Sequence, residues 1–392
     1  MKKGWTYKKL GEVCNIIGGG TPDKKNHSFY NGLIPWATVR DMNCEVLSST
    51  EFSITEDGLN NSASHIIKKG EIIIATRVGL GKICKLAQDT AINQDLKGII
   101  PKKEIIDRGF LYYYFKDKAK YIESNGVGAT VKGVKLKFIE DLPFPLIGIH
   151  EQKKIVERLD AAFAQIDELK ANAEKQLTEA RALFQKALAK AMEPKEGWEE
   201  KTLKETCSVI TDGTHHSPIN LPNGKYKYVT AKNIKPWGLD LSNLTFVTEE
   251  VHKEIVSRCC PQKGDVLYIK DGATTGIAIV NPLDEEFSML SSVALIRPIK
   301  DVLLSKYLCY ALNSPSIYEQ TRSQMDGAAI TRVTLVKIKG FTIPIPPLSE
   351  QQRIVERLDS ISENVRKYEE IQRKIIAECD ALKQALLRQV FE

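Results

Sequence analysis

The sequence predicts an α+β protein in which a long antiparallel coiled coil of two helices separates two mixed α/β domains, an internal duplication with pseudo-two-fold symmetry. Three observations lead to this prediction. One eleven-residue segment occurs twice, each copy is followed by apolar residues at heptad spacing, and short apolar runs bounded by Gly, Pro or Asn occupy the remaining chain.

The repeated segment is HEQKKIVERLD at residues 150–160, and it returns as SEQQRIVERLD at residues 349–359. Each copy opens a stretch of about 42 residues without Pro or Gly, rich in strong helix formers. Apolar residues such as Ile155, Leu159 and Ala162 follow in steps of four and three, which is typical of a coiled coil. A helix of roughly 63 Å cannot bury its apolar stripe alone, so we expect the two helices to pair.

The short linkers predict the direction of this pairing. Pro194 and Gly197 end the first helix, and the second domain begins there. The second helix starts beside that domain, where Ser349 and Gln352 have capping-box spacing, so it can reach the first helix only by running back. We therefore expect an antiparallel coil with a domain at each end. The predicted stripe includes Leu169, Gln176, Leu183, Tyr368 and Leu382, and the predicted segments are 1–149 (first domain), 150–193 (first helix), 194–348 (second domain) and 349–392 (second helix).

The globular parts are also duplicated. Their starts match at Trp5 and Trp198, at Leu10 and Leu203, at Cys14 and Cys207, and at Gly20–Thr21 and Gly213–Thr214. The later matches are PWATVRDM (35–42) with KYVTAKNI (227–234), KGEIIIA (69–75) with KGDVLYI (263–269), and GATVKGV (128–134) with GAAITRV (327–333). The apolar runs predict buried strands, and 110–120 and 305–313 predict amphipathic helices.

Composition limits the class of protein. Residues 1–149 carry 22 Lys and Arg against 16 Asp and Glu, an excess that suits a polyanion partner but is weak evidence alone. Eight cysteines without metal-ligand or CxxC spacing predict neither a zinc site nor a disulfide scaffold, as in a reducing cytoplasm. No stretch approaches the roughly 18 apolar residues of a membrane span. The expectation is a soluble, cytoplasmic protein.

The chain resembles the specificity subunit of type I restriction-modification systems. The resemblance is carried by the two Gly-Trp starts, by GATVKGV and GAAITRV, by the Pro-x-Pro stretches that lead into EQKKIVERLD and EQQRIVERLD, and by the long helix after each. These features occur in the same order twice and cover essentially the whole chain.

This resemblance implies a DNA-binding protein without catalytic residues. Two target-recognition domains would each read one half of a split, asymmetric DNA sequence, and the paired helices would fix the gap. The subunit would carry two adenine-N6 methyltransferase subunits for DNA methylation and, in the full complex, an ATP-dependent translocase and nuclease subunit. No cofactor is expected in this chain, whereas S-adenosylmethionine, ATP and Mg²⁺ are expected in the partner subunits.

Candidate contacts follow from the chemistry of DNA, since phosphates take Lys, Arg, Thr and backbone N–H groups, and base edges take Arg, Asn or Gln. Each is equally consistent with an ordinary solvated residue. The DNA candidates are Thr21, Lys24, Lys25, Arg40, Arg77, Lys132 and Lys135 in the first domain, and Thr214, His215, His216, Lys232, Asn233, Lys270, Thr331 and Arg332 in the second. The candidates for partner binding on the helices are Arg158, Arg181, Arg357 and Arg388.

Four other interpretations of the sequence are less well supported. A methyltransferase needs an Asn/Asp-Pro-Pro-aromatic motif, and the nearest string, residues 141–144, has Leu at the first Pro position. Gly18–Thr21 lacks the ending of a phosphate-binding P-loop, and His215–His216 lacks a third metal ligand. A coiled-coil protein-interaction module without DNA specificity explains the helices, but not the paired globular segments.

Overall fold

The structure is a computed structural model in which residues 5–325 and 331–392 are described. Gly4 of the first Gly-Trp start and residues 327–330 of the GAAITRV segment lie outside these ranges. The chain divides into two compact units, Met1–Ala173 with Lys374–Glu392, and Glu174–Arg373. Each unit therefore combines one globular part with a portion of both long helices.

The first globular part contains three sheets and leads into the first long helix. Their strand orders are β2-β10-β7-β8-β4, β5-β3-β9-β6 and β1-β11. Two 3-10 turns lie at His27–Phe29 and Val39–Asp41. The elements are β1 (Thr6–Lys9), α1 (Leu10–Val13), β2 (Cys14–Gly18), β3 (Tyr30–Ala37), β4 (Val46–Leu47), β5 (Phe52–Ile54), α2 (Glu56–Asn60), β6 (His65–Ile67), β7 (Ile72–Ala75), β8 (Ile83–Leu86), β9 (Thr90–Ile92), β10 (Leu96–Pro101), α3 (Arg108–Ser124), α4 (Leu136–Glu140), β11 (Pro143–Leu146) and α5 (Ile149–Ala191).

The second globular part repeats this plan. Its sheets have the orders β13-β21-β18-β19, β17-β14-β20, β12-β22 and β15-β16, and a 3-10 turn lies at Ala231–Asn233. The elements are β12 (Glu199–Thr202), α6 (Leu203–Thr206), β13 (Cys207–Asp212), β14 (Tyr226–Val229), β15 (Ile234–Lys235), β16 (Gly238–Leu239), β17 (Thr245–Val247), α7 (Glu249–Arg258), β18 (Val266–Ile269), β19 (Ala278–Val280), β20 (Ser288–Met289), β21 (Val293–Pro298), α8 (Ser305–Leu312), α9 (Pro315–Ser323), α10 (Leu335–Lys339), β22 (Thr342–Ile345) and α11 (Leu348–Phe391).

The sheet orders confirm the predicted fold class and duplication. The sheet β2-β10-β7-β8 corresponds to β13-β21-β18-β19, and β5-β3-β9 corresponds to β17-β14-β20. The middle strands of these last two sheets, β3 and β14, each pair antiparallel with one neighbour and parallel with the other. The apolar runs predicted as strands form β7 and β18, in which every residue is buried. The predicted helices at 110–120 and 305–313 are α3 and α8.

One buried glutamine side chain attaches the start of each long helix to the globular part. Gln152 Oε1 accepts a hydrogen bond from Asp107 N (2.8 Å), and its Nε2 donates to Ile105 O (2.9 Å) and Ile147 O (2.8 Å). The side chain is fully buried, and all three of these bonds reach backbone groups. Gln152 therefore provides hydrogen-bond partners for backbone groups in two loops that have no strand partner of their own.

Gln351 makes the same contacts in the second unit. Its Oε1 accepts from Leu304 N (2.9 Å), and its Nε2 donates to Val302 O (2.9 Å) and Pro346 O (2.9 Å). The predicted capping box at Ser349 is wrong, because α11 already begins at Leu348. The exposed Gln352 side chain instead bonds Glu356, one turn along the helix.

A tyrosine–aspartate hydrogen bond holds the first turns of each helix. Tyr113 in α3 donates to Asp160 in α5, and Tyr310 in α8 donates to Asp359 in α11 (2.7 Å). The pKa of both phenols is raised, mainly because they are buried and also because each donates to a carboxylate. The repeated residues Gln and Asp of HEQKKIVERLD and SEQQRIVERLD thus have the same structural role in both units.

The two long helices run antiparallel within each unit. In the first unit, Lys170 Nζ lies 2.7 Å from Asp380 Oδ1, and Lys383 contacts Asp167. In the second unit, Arg181 Nε lies 2.8 Å from Glu369 Oε1, and Lys195 Nζ, just after the end of α5, lies 3.4 Å from Glu350 Oε1 near the start of α11. In each unit, residues further along the chain at α5 therefore face lower residue numbers on α11. The predicted direction is therefore confirmed for each pair of helix segments.

The predicted apolar stripe is wrong at alternate positions. Leu169 and Leu183 are 52% and 62% exposed. Phe163 is buried against Tyr113 at a ring separation of 5.3 Å, whereas its predicted neighbour Ala162 is only partly buried. Because a large ring at the next position buries more apolar area than alanine, the buried row moves one residue along the helix.

All eight cysteines are free, and burial raises the pKa of Cys14 to about 12 and of Cys207 to about 11. Within residues 5–325 and 331–392, no helix is long and apolar enough to cross a membrane.

We predict that Gln351→Ala destabilises the second unit by about 3 kcal/mol, because one backbone N–H and two carbonyls lose their buried partner. Urea unfolding of the full chain measures this change. The matched control is Gln352→Ala, which removes the neighbouring exposed amide and should change the free energy of unfolding by less than about 0.5 kcal/mol. Equal effects of the two substitutions would contradict the anchoring role.

Candidate nucleic-acid interface

Five segments of the first globular part meet where β2, β3, β7 and β9 end and β10 begins. We call them the first rim, which consists of residues 19–21, 38–41, 76–77, 93–95 and 132–134. Backbone bonds connect them, and the Thr21 hydroxyl also bonds the Gln94 side chain. The backbone bonds run from Gly20 N to Ile92 O (3.1 Å), Asn93 N to Ala37 O (3.0 Å), Thr76 N to Asp95 O (2.9 Å) and Val134 N to Thr76 O (2.9 Å).

The second globular part has an equivalent second rim, which consists of residues 213–215, 230–233, 270–271, 290–292 and 331–333. It is held by bonds from Thr214 N to Met289 O (2.9 Å), Leu290 N to Val229 O (3.0 Å), Lys270 N to Ser292 O (3.0 Å) and Val333 N to Lys270 O (2.9 Å). The same backbone frame therefore presents two different sets of side chains.

The match of Gly20–Thr21 with Gly213–Thr214 is wrong by one residue. A register shift between Cys207 and Val209 in β13 adds one residue to the second strand. A Cβ at Gly19 would lie 2.1 Å from Asn93 O, and one at Gly213 would lie 1.8 Å from Met289 O, so these two glycines are equivalent. Glycine is needed here because backbone passes against backbone. The Gly20 N–H is donated to Ile92 O, and it is therefore not open to a phosphate.

A capped 3-10 turn places one basic residue on each rim. Thr38 and Asp41 form a capping box around Arg40, and Thr230 and Asn233 form one around Lys232. Arg40 and Lys232 are both exposed. Asn233 is buried, and its amide bonds Thr230 and Asp240 O (3.2 Å), so it supports the turn and is not open to an adenine edge.

The predicted cations of the first domain are all exposed. Arg77 lies on the first rim, with Nη1 3.7 Å from Asp95 Oδ1. Sequence reasoning missed the half-buried Lys97 beside it. Burial lowers the pKa of Lys97, Asp95 opposes this, and Arg77 adds to the lowering. Lys24 and Lys25 precede the turn at His27–Phe29, Lys132 lies on the rim, and Lys135 precedes α4.

The second domain uses its charges differently. Lys270 is only 5% exposed, with Nζ 3.4 Å from Asp212 Oδ2 and 3.3 Å from Asp271 Oδ1. It neutralises a buried carboxylate and is not available as a surface cation. Arg258, which sequence reasoning missed because it belongs to α7, lies 2.6 Å from Asp212 Oδ1 and remains half exposed. A buried lysine and an exposed arginine thus share one aspartate.

The other predicted residues of the second domain lie on or beside the second rim. The partly exposed Thr214 accepts from the exposed His216 N (3.2 Å). His215 Nε2 lies 3.4 Å from Asp212 Oδ1. Thr331 and Arg332 are exposed, and Arg332 pairs with Asp271 in an isolated antiparallel β-bridge. Among the described residues, no group of three or more His, Cys, Asp or Glu side chains is arranged to hold a metal.

The arginines predicted for partner binding differ in their contacts. Arg181 is occupied by Glu369 across the helix pair. Arg158 and Arg357 occupy the same position of the repeated segment, and both are exposed. Arg388 is exposed near the end of α11. The methyltransferase-like string at 141–144 leads into β11, with Leu142 and Phe144 buried.

Comparison with known proteins agrees with this duplication. The chain matches the family described as "Type I restriction modification DNA specificity domain" over residues 2–179 and again over residues 195–376. The Methanocaldococcus jannaschii "Type I restriction enzyme MjaIX specificity subunit" is 26% identical, with 92% of this chain and 86% of the relative covered. The Escherichia coli "Type I restriction enzyme EcoBI specificity subunit" is 23% identical, with 99% and 85% covered.

Two solved structures have the same fold. A chain from "Structural basis underlying complex assembly and conformational transition of the type I R-M system" gives a TM-score of 0.79 at 22% identity, with 100% of this chain and 98% of that chain covered. The HsdS subunit from Thermoanaerobacter tengcongensis gives 0.57 at 21% identity, with 100% and 97% covered. Since the two family matches together span most of the sequence and follow its duplication, the chain belongs to the family of type I restriction-modification DNA specificity subunits.

Proposed function

We propose that this chain reads a split, asymmetric DNA target, with one half-site for each globular part, and positions partner enzymes there without catalytic residues of its own. The observation that carries this proposal is the pair of rims. Their backbone bonds are equivalent, whereas their outward side chains differ. Family membership supports sequence-specific DNA recognition and does not favour a coiled-coil module without DNA specificity.

The differences fall at matched rim positions. Arg77 stands where the second rim has Asp271, Lys132 where it has Thr331, and Gly133 where it has Arg332. Base edges and phosphates are distinguished by such changes in donors, acceptors and charge. The helix anchors, by contrast, are the same residues in both units. A scaffold kept constant while its outward side chains change suits two readers of different half-sites.

The partner enzymes of this proposal are two adenine-N6 methyltransferase subunits that use S-adenosylmethionine, and a translocase and nuclease subunit that uses ATP and Mg²⁺. Their surface on this chain would include Arg158 and Arg357. The helix anchors leave both side chains exposed although the repeat keeps them. Two equivalent sites suit two copies of one partner.

Directed methylation should depend on this chain. Co-expression of this chain with the adenine methyltransferase subunit of its own system should place N6-methyladenine only in one split motif. Sequencing of the host DNA measures this, with cells that lack the chain as the control. A pattern that persists in the control would contradict the proposed function.

A domain exchange should then change half of that motif. We expect that replacing residues 1–149 with the equivalent domain of another specificity subunit changes one half-site and leaves the other, because each rim belongs to a single compact unit. Methylome sequencing of both chains provides the comparison. A simultaneous change in both half-sites would rule out independent readers.

Helix length should set the gap between half-sites. The helices have 43 and 44 residues and run antiparallel within each unit. Inserting four helix-forming residues after Ala173 and after Arg373 adds about 6 Å, and should lengthen the methylated motif by about two base pairs. Insertion into one helix only is the control, and it should impair pairing. An active double insertion with an unchanged gap would refute the ruler.

A further inference from the structure

An exposed tryptophan projects from a small hairpin of the second globular part. Strands β15 and β16 pair Lys235 with Gly238, which leaves Pro236 and Trp237 as the turn. Trp237 is 73% exposed. Proline fixes φ at the first turn position, so the backbone that presents Trp237 is restricted.

The base of this hairpin is held by buried groups. Asp240 N donates to Asn233 O (2.7 Å), and the Asn233 amide donates to Asp240 O (3.2 Å). Ile234 is buried, and Leu239 packs against the same core. The ordering entropy of the tip is therefore lost on folding and not on binding.

The tip adjoins the second rim and carries positive charge. Residues 230–233 of the rim run directly into β15, and Lys232 in the 3-10 turn and Lys235 in β15 both precede Trp237 by a few residues. An exposed apolar side chain with cations close by in the chain suits a duplex, because the cations meet phosphates while the ring reaches the base stack. A protein partner of low charge would leave these cations unpaired.

Among residues 5–149, no such tip follows the equivalent 3-10 turn. After that turn, Met42 is buried and Asn43 accepts a bond from Lys82 (2.7 Å). The next strand, β4, pairs with β8 as an edge strand of the five-stranded sheet. Any contribution of Trp237 should therefore be confined to one half-site.

We propose that Trp237 inserts as a wedge between base pairs of the half-site read by the second domain and bends the duplex there. This inference rests on the proposed function. Lys232 and Lys235 hold the flanking phosphates, and the wedge favours half-sites with an easily unstacked pyrimidine–purine step. Insertion of apolar side chains between base steps is a known means of bending DNA.

The test uses the full chain co-expressed with its methyltransferase, and a labelled duplex of the motif found for the wild type. Trp237→Ala should lower affinity about tenfold, abolish the bend measured by energy transfer between duplex ends, and reduce methylation of genomic motifs. Trp237→Leu, which keeps an apolar wedge, should retain most of the bend. The matched control is Ile299→Ala, since Ile299 follows the far end of β21 from the second rim.

The outcomes separate this inference from the proposed function. Wild-type affinity and bending in Trp237→Ala would overturn the wedge while leaving directed methylation intact. Loss of methyltransferase association with normal DNA binding would also overturn it, by assigning Trp237 to a protein interface. Thermal unfolding of each variant shows whether folding is affected, and Trp237→Leu with wild-type stability but no bend would equally contradict the wedge. Absence of any directed methylation by the wild type would contradict both proposals.

Discussion

Each long helix depends on one buried glutamine at its start. Gln152 and Gln351 each satisfy three backbone groups of neighbouring loops, which would otherwise be buried without partners. A helix of more than forty residues has no core of its own, so it must be oriented by what it packs against. The hydrogen bonds of the glutamine amide, together with the tyrosine–aspartate bond about two turns further along the helix, fix that orientation in both units. Packing of apolar residues then completes the attachment.

This arrangement separates structural residues from the rims. The repeated segment is constrained because its glutamine meets backbone groups, which are the same whatever the sequence of the globular part, and its aspartate meets a tyrosine that both units contain. The rims are connected mainly by backbone bonds, which tolerate side-chain replacement. One matched position can therefore carry opposite charges, Arg77 in the first rim and Asp271 in the second, while the backbone frame beneath it is unchanged. Under the proposed function, one frame would in this way serve two readers with different preferences.

The two rims also differ in how charge is presented. The predicted cations of the first domain are exposed, and Arg77 makes only a long ion pair with Asp95. In the second, Asp212 is buried and holds Lys270 and Arg258, so part of the positive charge compensates an internal carboxylate. The second domain instead offers Arg332, Lys232 and the projecting Trp237. Under the proposed function and the proposed wedge, the DNA contacts of the second domain would rely more on shape and apolar insertion than on net charge.

The sequence by itself determined the duplication, the two mixed domains, the long helices and their direction, because these depend on periodicity, breakers and linker length, which are local. It also placed most candidate DNA residues on the segments that form the rims. Only the tertiary structure decided which helix positions face inward, since Phe163 and not the predicted Ala162 is buried. It also decided which glutamine anchors each helix. It also withdrew Asn233 and Lys270 from the surface and revealed Arg258, since burial and ion pairing depend on residues far apart in the chain. A one-residue shift in β13 changed which glycines match, because register is set by pairing between strands.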